Sequence, residues 1–232
     1  MTPLNRTLVI MAKAPRLGFV KTRLAKRLPE QAVSELYRCF LEDTITLARS
    51  LDGVEVAIMC PDCDVEDLRR ETRDSVRIVP QIGKGLAAGL TSVFELFAGR
   101  RKQAVAFNSD SPHLPASVLQ SAFHSLTESD VVIGPTHDGG YYLVGAAAPH
   151  QGLFTRDGMG TTNAFEALVA RARNLRLSVH LTDPFYDIDE VAELERLAAE
   201  LQLTPEKAPK TAEWLSVWRS AGAQSANNGG NE

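Results

Sequence analysis

AVAFNSDSPHLP, residues 104–115, is the stretch from which the fold is read. Four apolar residues, Ala104 to Phe107, run into the polar turn Asn108-Ser109-Asp110-Ser111, and Pro112 forbids further strand. A short apolar run that stops at a carboxylate is the pattern of a buried parallel strand reaching its C-terminal tip. In open α/β sheets ligands collect just beyond those tips. A carboxylate there, flanked by the hydroxyls of Ser109 and Ser111, suits a hard divalent cation carrying phosphate oxygens. The competing reading is a cap, with Asp110 closing the helix that follows Pro115.

Outward from this strand, residues 7–12 (TLVIMA), 54–59 and 76–79 read as further buried strands, and 179–181 as a late one. Residues 130–134 (DVVIG) and 141–145 (YYLVG) flank Asp138-Gly139, a strong turn signal, and read as an antiparallel hairpin. Helices are expected over 29–50, 64–73, 86–98, 115–127, 161–173 and 191–201. In the first of these, Val33, Leu36, Tyr37, Phe40, Leu41, Leu47 and Ala48 share one face at helical spacing, so Tyr37 reads as core. Strands alternating with helices predict an α/β fold with a mostly parallel sheet plus one hairpin. One domain is expected over residues 1–203, then a helical extension over 204–220 with its helix at 212–219, then a disordered Gly/Asn-rich tail over 221–232.

Composition excludes several classes. The 232 residues are 44% hydrophobic and 23% charged, which is ordinary for a globular chain. A net charge of -4 argues against nucleic acid as the partner. No stretch approaches a membrane span, and residues 8–12 are too short for a signal-peptide core, so a cytoplasmic protein with no membrane partner is expected. Cys60 and Cys63 form one C-x-x-C with no second pair, which reads as a strand end and helix start and not as a metal site.

The polar features gather at predicted strand ends. The loop after the first strand carries Lys13, Arg16, Lys21 and Arg23 and no acid, a composition that cradles phosphate; the Walker spacing is absent. Gly83-Lys84-Gly85 is a second glycine turn after a strand, which permits close backbone approach or merely positive φ. Thr161 and Thr162 stand where a helix N-terminus would cap itself or accept an anion. His137 reads as an exposed loop residue. Asp187 and Asp189 form a second acidic cluster at a strand end, and one of them is expected to face a shared site, unless Asp189 or Glu190 caps the next helix. Cations on one loop and carboxylates on others are what a nucleotide with a divalent metal requires.

Four segments carry a resemblance: MAKAPRLGFVKTRL (11–24), SDSPHLP (109–115), GPTHDGGYYLVG (134–145) and FYDIDEVAEL (185–194). Together, over about residues 6–201, the chain resembles the bacterial glycosyltransferase-like family, the arsenosugar-biosynthesis glycosyltransferase-like proteins, of the nucleotide-diphospho-sugar transferase (GT-A) superfamily. The resemblance implies a Rossmann-like three-layer α/β/α fold and a Mg²⁺ or Mn²⁺ on Asp110, with Asp187 or Asp189 as a further carboxylate. It implies nucleotide and phosphate contacts from Lys13, Arg16, Lys21, Arg23, Gly83, Lys84 and Gly85. Thr136, Gly139, Gly140, Tyr141, Thr161 and Thr162 fall to the acceptor side, and Asp138 would orient or deprotonate the acceptor hydroxyl. The chain departs from its relatives at Gly83-Lys84-Gly85-Leu86-Ala87-Ala88, where they carry an acidic residue and Arg-Met, and at Asn108-Ser109-Asp110, which supplies one carboxylate where a D-x-D would supply two. The implied activity is glycosyl transfer from a nucleotide sugar to a small acceptor. The alternatives are a guanylyltransferase-like nucleotidyltransferase, joining a nucleoside triphosphate to a phosphorylated small acid with release of pyrophosphate, and a nucleotide-binding module without catalysis.

Overall fold

The computed structural model describes residues 5–99, 102–155 and 163–228. Seven strands, β1 (Arg6–Met11), β2 (Glu55–Cys60), β3 (Arg77–Pro80), β4 (Gln103–Asn108), β5 (Val131–Pro135), β6 (Tyr141–Ala146) and β7 (Val179–Leu181), form one sheet in the order β3-β2-β1-β4-β6-β5-β7. β1 pairs in parallel with β2 and with β4, and β2 with β3. β6 runs antiparallel to both β4 and β5, while β5 and β7 are parallel. The opening stretch is therefore the strand at which the sheet changes from parallel to mixed pairing. Its neighbour β1 is matched residue for residue, from Arg6 opposite Gln103 to Met11 opposite Asn108, so both strands end together.

Among the described residues there are seven α-helices: α1 (Glu30–Arg49), α2 (Val65–Thr72), α3 (Leu86–Phe97), α4 (Ala116–Ser125), α5 (Ala164–Asn174), α6 (Val191–Leu203) and α7 (Pro209–Asn228). Successive strand residues face opposite sides. Leu8, Ile10, Val105 and Phe107 pack with Leu41 and Ile45 of α1 and with Leu119 and Phe123 of α4. Val9, Ala104 and Ala106 pack with Leu90, Val93 and Phe94 of α3 and Leu168 of α5. The expected three-layer α/β/α arrangement is thus the one observed. A third cluster, outside the sheet, joins α1, α6 and α7 through Leu36, Phe40, Leu197, Leu201 and Leu215.

The extension differs from expectation. The helix expected at 212–219 begins at Pro209 and continues to Asn228, taking in residues 221–228 of the expected tail. Its start is fixed by Asp43 of α1, whose carboxylate accepts from the backbone N–H groups of Lys210 (3.0 Å) and Thr211 (2.8 Å) and from the Thr211 hydroxyl (2.7 Å). Ala, Gln and Ser continue a helix once it is nucleated, and no proline interrupts them. Among the described residues no helix is long and apolar enough to cross a membrane.

Candidate active site

A cavity of about 670 Å³ opens at the C-terminal ends of β1, β2 and β4. Its wall includes Lys13, Lys21 and Arg23 from the loop after β1, and Ser109 and Asp110 from the loop after β4. The loop between β1 and α1 is anchored at its near end. The N–H of Lys13 donates to the Tyr37 hydroxyl (3.3 Å), which shares a 2.8 Å hydrogen bond with Ser109. Ala14 N–H donates to Asp64 (3.0 Å), and Ser34 donates to the Pro15 carbonyl (2.8 Å). Burial, followed by the charge of Asp110, pushes the Tyr37 hydroxyl up to about 12, so it stays protonated. Tyr37 is thus a brace between the two loops that build the cavity. Helical periodicity hides this, because Tyr37 lies on the apolar face of α1.

Lys21 is the centre of the site. Its ammonium stands 2.8 Å from Asp110 Oδ1 and 2.8 Å from Asp189 Oδ1, on a side chain only 4% exposed. Burial alone would drive its pKa down; the charges of Asp110 and Asp189 more than offset that and hold it above the ordinary lysine value. Its backbone is left-handed at φ 47°. Arg23 approaches the other oxygen of Asp189 at 3.6 Å. Asp110 does not cap α4, whose first residue follows Pro115. The capping function before α6 belongs to Glu190 and Glu193, which form a reciprocal capping box and leave Asp189 to face the cavity. The backbone joins the two acidic segments directly: Ile188 N–H donates to the Asp110 carbonyl (2.9 Å), and the Ser111 hydroxyl to the Tyr186 carbonyl (3.1 Å).

A smaller cavity, of about 280 Å³, lies alongside, with Arg23 and Asp189 in the walls of both. The rest of its wall includes His137, Asp138, Asp187, Glu190 and Glu193. Asp187 takes part in no ion pair or hydrogen bond among the described residues, and burial, then the charge of Asp189, pushes its carboxyl up to about 6. Asp138 is the opposite case. Its Oδ1 accepts from the Thr136 hydroxyl and from Gly140 N–H (3.2 Å), and the Thr136 bond first of all holds its pKa below the usual carboxylate range. That bonding closes the turn at the hairpin tip, where Gly139 has φ 88°.

The expected site residues divide accordingly. Lys13, Lys21, Arg23, Gly85, Asp110 and Asp189 share the larger cavity, and Asp138 and Asp187 the smaller. Arg16 does not reach either wall. Its guanidinium is held by Asp67 (2.6 Å) and Asp64 (3.0 Å), where it clamps the loop onto the start of α2. Gly83 and Lys84 also lie outside both walls; the Gln81 side chain donates to the carbonyls of Gly83 (3.0 Å) and Gly85 (3.3 Å) and sets the turn, with Gly85 alone of the three reaching the cavity. Thr136, Gly139 and Gly140 shape the hairpin tip, and Tyr141 packs against the core beyond it. Thr161 and Thr162 lie outside the described residues. The sequence reading missed His137, Glu190 and Glu193 as wall residues. Glu190 stands in the sequence as a candidate helix cap, which marks a helix start and not a cavity wall; His137 carries no comparable signal.

Asp110 and Asp189 bear on the metal expectation. Among the described residues, no three His, Cys, Asp or Glu side chains gather closely enough to hold an ion by themselves. Two carboxylates do converge, on the point where the Lys21 ammonium stands. A Mg²⁺-type ion is commonly held by one or two carboxylates with substrate phosphates completing its shell, so this donor pair fits such an ion once phosphate is present.

The sequence over residues 44–161 matches the family described as "Uncharacterized protein conserved in bacteria (DUF2064)". No curated protein matches it at a significant level. Among solved structures, the chain is similar to a candidate nucleotide-diphospho-sugar transferase from Desulfovibrio desulfuricans G20, with a TM-score of 0.84 and 24% identity over 93% of this chain and 96% of that one. It is also similar to the 4-diphosphocytidyl-2C-methyl-D-erythritol synthase of Anaerococcus prevotii (TM-score 0.56, 10% identity, 85% and 96% covered). A nucleotidyl transferase of Methanothermobacter gives a TM-score of 0.56 at 13% identity over 86% and 98%. These likenesses establish a shared fold.

Proposed function

The chain belongs to the DUF2064 family, and from the site it carries we propose that it is a transferase that moves a glycosyl group from a nucleotide sugar to a small acceptor. The observation that carries this reading is the meeting of two cavities at Arg23 and Asp189. A reaction between two bound molecules needs such a junction, which holds the reacting atoms together; storage of one nucleotide does not. The names of the structures that share the fold, a nucleotide-diphospho-sugar transferase and two enzymes of nucleotidyl transfer, support a nucleotide in the larger cavity.

In this reading the nucleoside lies toward Met59, Pro61 and Leu86, and its diphosphate toward Lys13 and Arg23. Asp110 and Asp189 would hold a Mg²⁺ or Mn²⁺ together with the phosphates. Such an ion, when bound, supplies charge neutralisation on the departing nucleoside diphosphate. The acceptor occupies the smaller cavity. Asp187 takes the proton of the attacking hydroxyl, because among the described residues its carboxylate is the one in that wall without a partner, while Oδ1 of Asp138 is already committed to the turn. Arg23 faces both substrates and steadies the charge that passes between them.

Nucleotidyl transfer to a phosphorylated acid is the second reading, favoured by two of the fold relatives. The acceptor wall weighs against it: Asp138, Asp187, Asp189, Glu190 and Glu193 face Arg23 and His137, and a phosphate monoester would enter against net negative charge. A neutral polyol or an amine meets no such opposition.

The test is a thermal-shift panel of nucleoside diphosphates and sugar nucleotides, with and without Mg²⁺. At least one sugar nucleotide is expected to raise Tm by several degrees with Mg²⁺, through mass action on the folded state, and Asp110→Ala to remove the shift. No shift from any sugar nucleotide overturns the proposal. With the donor identified, Asp187→Asn is expected to lower kcat about 10²-fold or more while leaving the donor Kd within about threefold.

A further inference from the structure

The cation that stands between Asp110 and Asp189 is part of the chain. The backbone that carries both carboxylates is anchored, through the bond from Ile188 N–H to the Asp110 carbonyl and the capping box that begins at Glu190. The two carboxylates are thus carried close to one another, and two such charges brought together favour a cation between them. Lys21 supplies it from a loop without regular secondary structure, on a four-carbon stem whose rotatable bonds can carry the ammonium to a new position without moving the backbone. Its φ of 47° is a conformation that non-glycine residues rarely adopt. Lys21 also lines the cavity assigned above to phosphate.

Resting on that assignment, we propose that Lys21 is an exchangeable counter-ion: it occupies the metal position in the empty protein, and moves onto the phosphates when metal and nucleotide arrive together. The ammonium stands 2.8 Å from an oxygen of each carboxylate, so a dication held between the same two oxygens would meet a like charge in the same position, and either cation disfavours the other. A metal arriving alone would expel the ammonium into a buried site with no anion to receive it, and breaking a buried pair in that way is strongly unfavourable. A metal arriving with phosphate brings the receiving anion with it. Metal and phosphate binding are therefore coupled, each strengthening the other by the same factor. The device keeps the site closed to free divalent ions until a donor is present.

The experiment is calorimetric titration of the full-length chain with MnCl₂ alone and with preformed Mn·pyrophosphate, which carries the diphosphate without a base or sugar. Lys21→Met is expected to bind Mn²⁺ alone about tenfold or more tighter than wild type, and Mn·pyrophosphate about tenfold or more weaker. A loss or no change for Mn²⁺ alone overturns the exchange, since an ordinary phosphate-binding lysine changes only the second titration. Failure of wild type to bind Mn·pyrophosphate overturns the transferase reading and the exchange with it, which keeps the two failures distinct. If Lys21→Met does not fold, wild type decides through the ¹⁵N resonance of the Lys21 ammonium, assigned by its absence in Lys21→Arg. That resonance is expected to shift with Mg·pyrophosphate and not with Mg²⁺ alone; a resonance unmoved by both overturns the proposal.

Discussion

His113 sits in the stretch that defines the central strand, yet nothing in SDSPHLP marks it as buried. Its ring is 2% exposed and packs against Phe185 at 4.8 Å and Tyr186 at 4.6 Å. Neither ring nitrogen has a hydrogen-bond partner among the described residues, and burial pushes its pKa down to about 4. A depressed histidine favours the folded state above its unfolded pKa near 6.5, and that contribution is lost as pH falls from there toward 4. The difference in unfolding free energy between pH 8 and pH 5 should therefore shrink by about 2 kcal/mol in His113→Phe, measured by urea denaturation at both values. Parallel losses in the two proteins would show that other groups carry the dependence. The same scale shows how a site is partly legible. Lys21, Arg23 and Asp110 declare themselves by charge beside a strand end. Arg16 carries the same charge in the same loop, and its partner Asp67 lies 51 residues later, so its engagement there becomes visible only when the chain is folded. Asp187 and Asp189 are indistinguishable by type in the sequence; both border the smaller cavity, and among the described residues it is Asp189 that pairs with Lys21, the capping box after it leaving its carboxylate to that contact.

At the scale of elements, strand and helix positions follow hydrophobic period and turn chemistry, and each expected element of the sheet appears within a few residues of its place. The extension is where the observed helix bounds depart furthest from the local reading. α7 begins at Pro209 with no acidic residue in its own first turn, and its orphan N–H groups are satisfied by Asp43 from α1. A cap delivered from a helix more than 160 residues upstream leaves no mark in the neighbouring sequence. Asp43 is itself 3% exposed, so its loss removes bonds that nothing else can supply. Asp43→Ala should cost about 2–4 kcal/mol and free α7 from α1. Limited proteolysis is the direct check: cleavage should appear in the 204–209 link well below the global unfolding temperature. A variant that stays resistant until it melts as a whole would mean that the apolar cluster around Leu201 and Leu215 suffices.

For the whole molecule, the order β3-β2-β1-β4-β6-β5-β7 puts β1 and β4 in the interior and leaves β3 and β7 as edges. Hydrogen exchange read by mass spectrometry should find Val9, Ile10 and residues 105–107 opening only with global unfolding, and residues 77–80 and 179–181 opening locally and orders of magnitude faster. Equal protection of edge and centre would contradict that hierarchy. The α/β class and the hairpin were readable because parallel strands are continuous apolar runs and Asp138-Gly139 punctuates the one reversal. The division of the active region into two cavities was not, since it depends on loops from distant strands meeting in space. That division follows the chain. Apart from Asp189, the larger cavity takes its wall from residues 11–110; apart from Arg23, the smaller takes its wall from residues 137–193. On the function proposed above, the acceptor's surroundings thus come largely from one contiguous piece of the chain that also delivers Asp189 to the donor's cavity, so a recombination event that exchanges the piece would renew the acceptor side and would have to restore the carboxylate at 189.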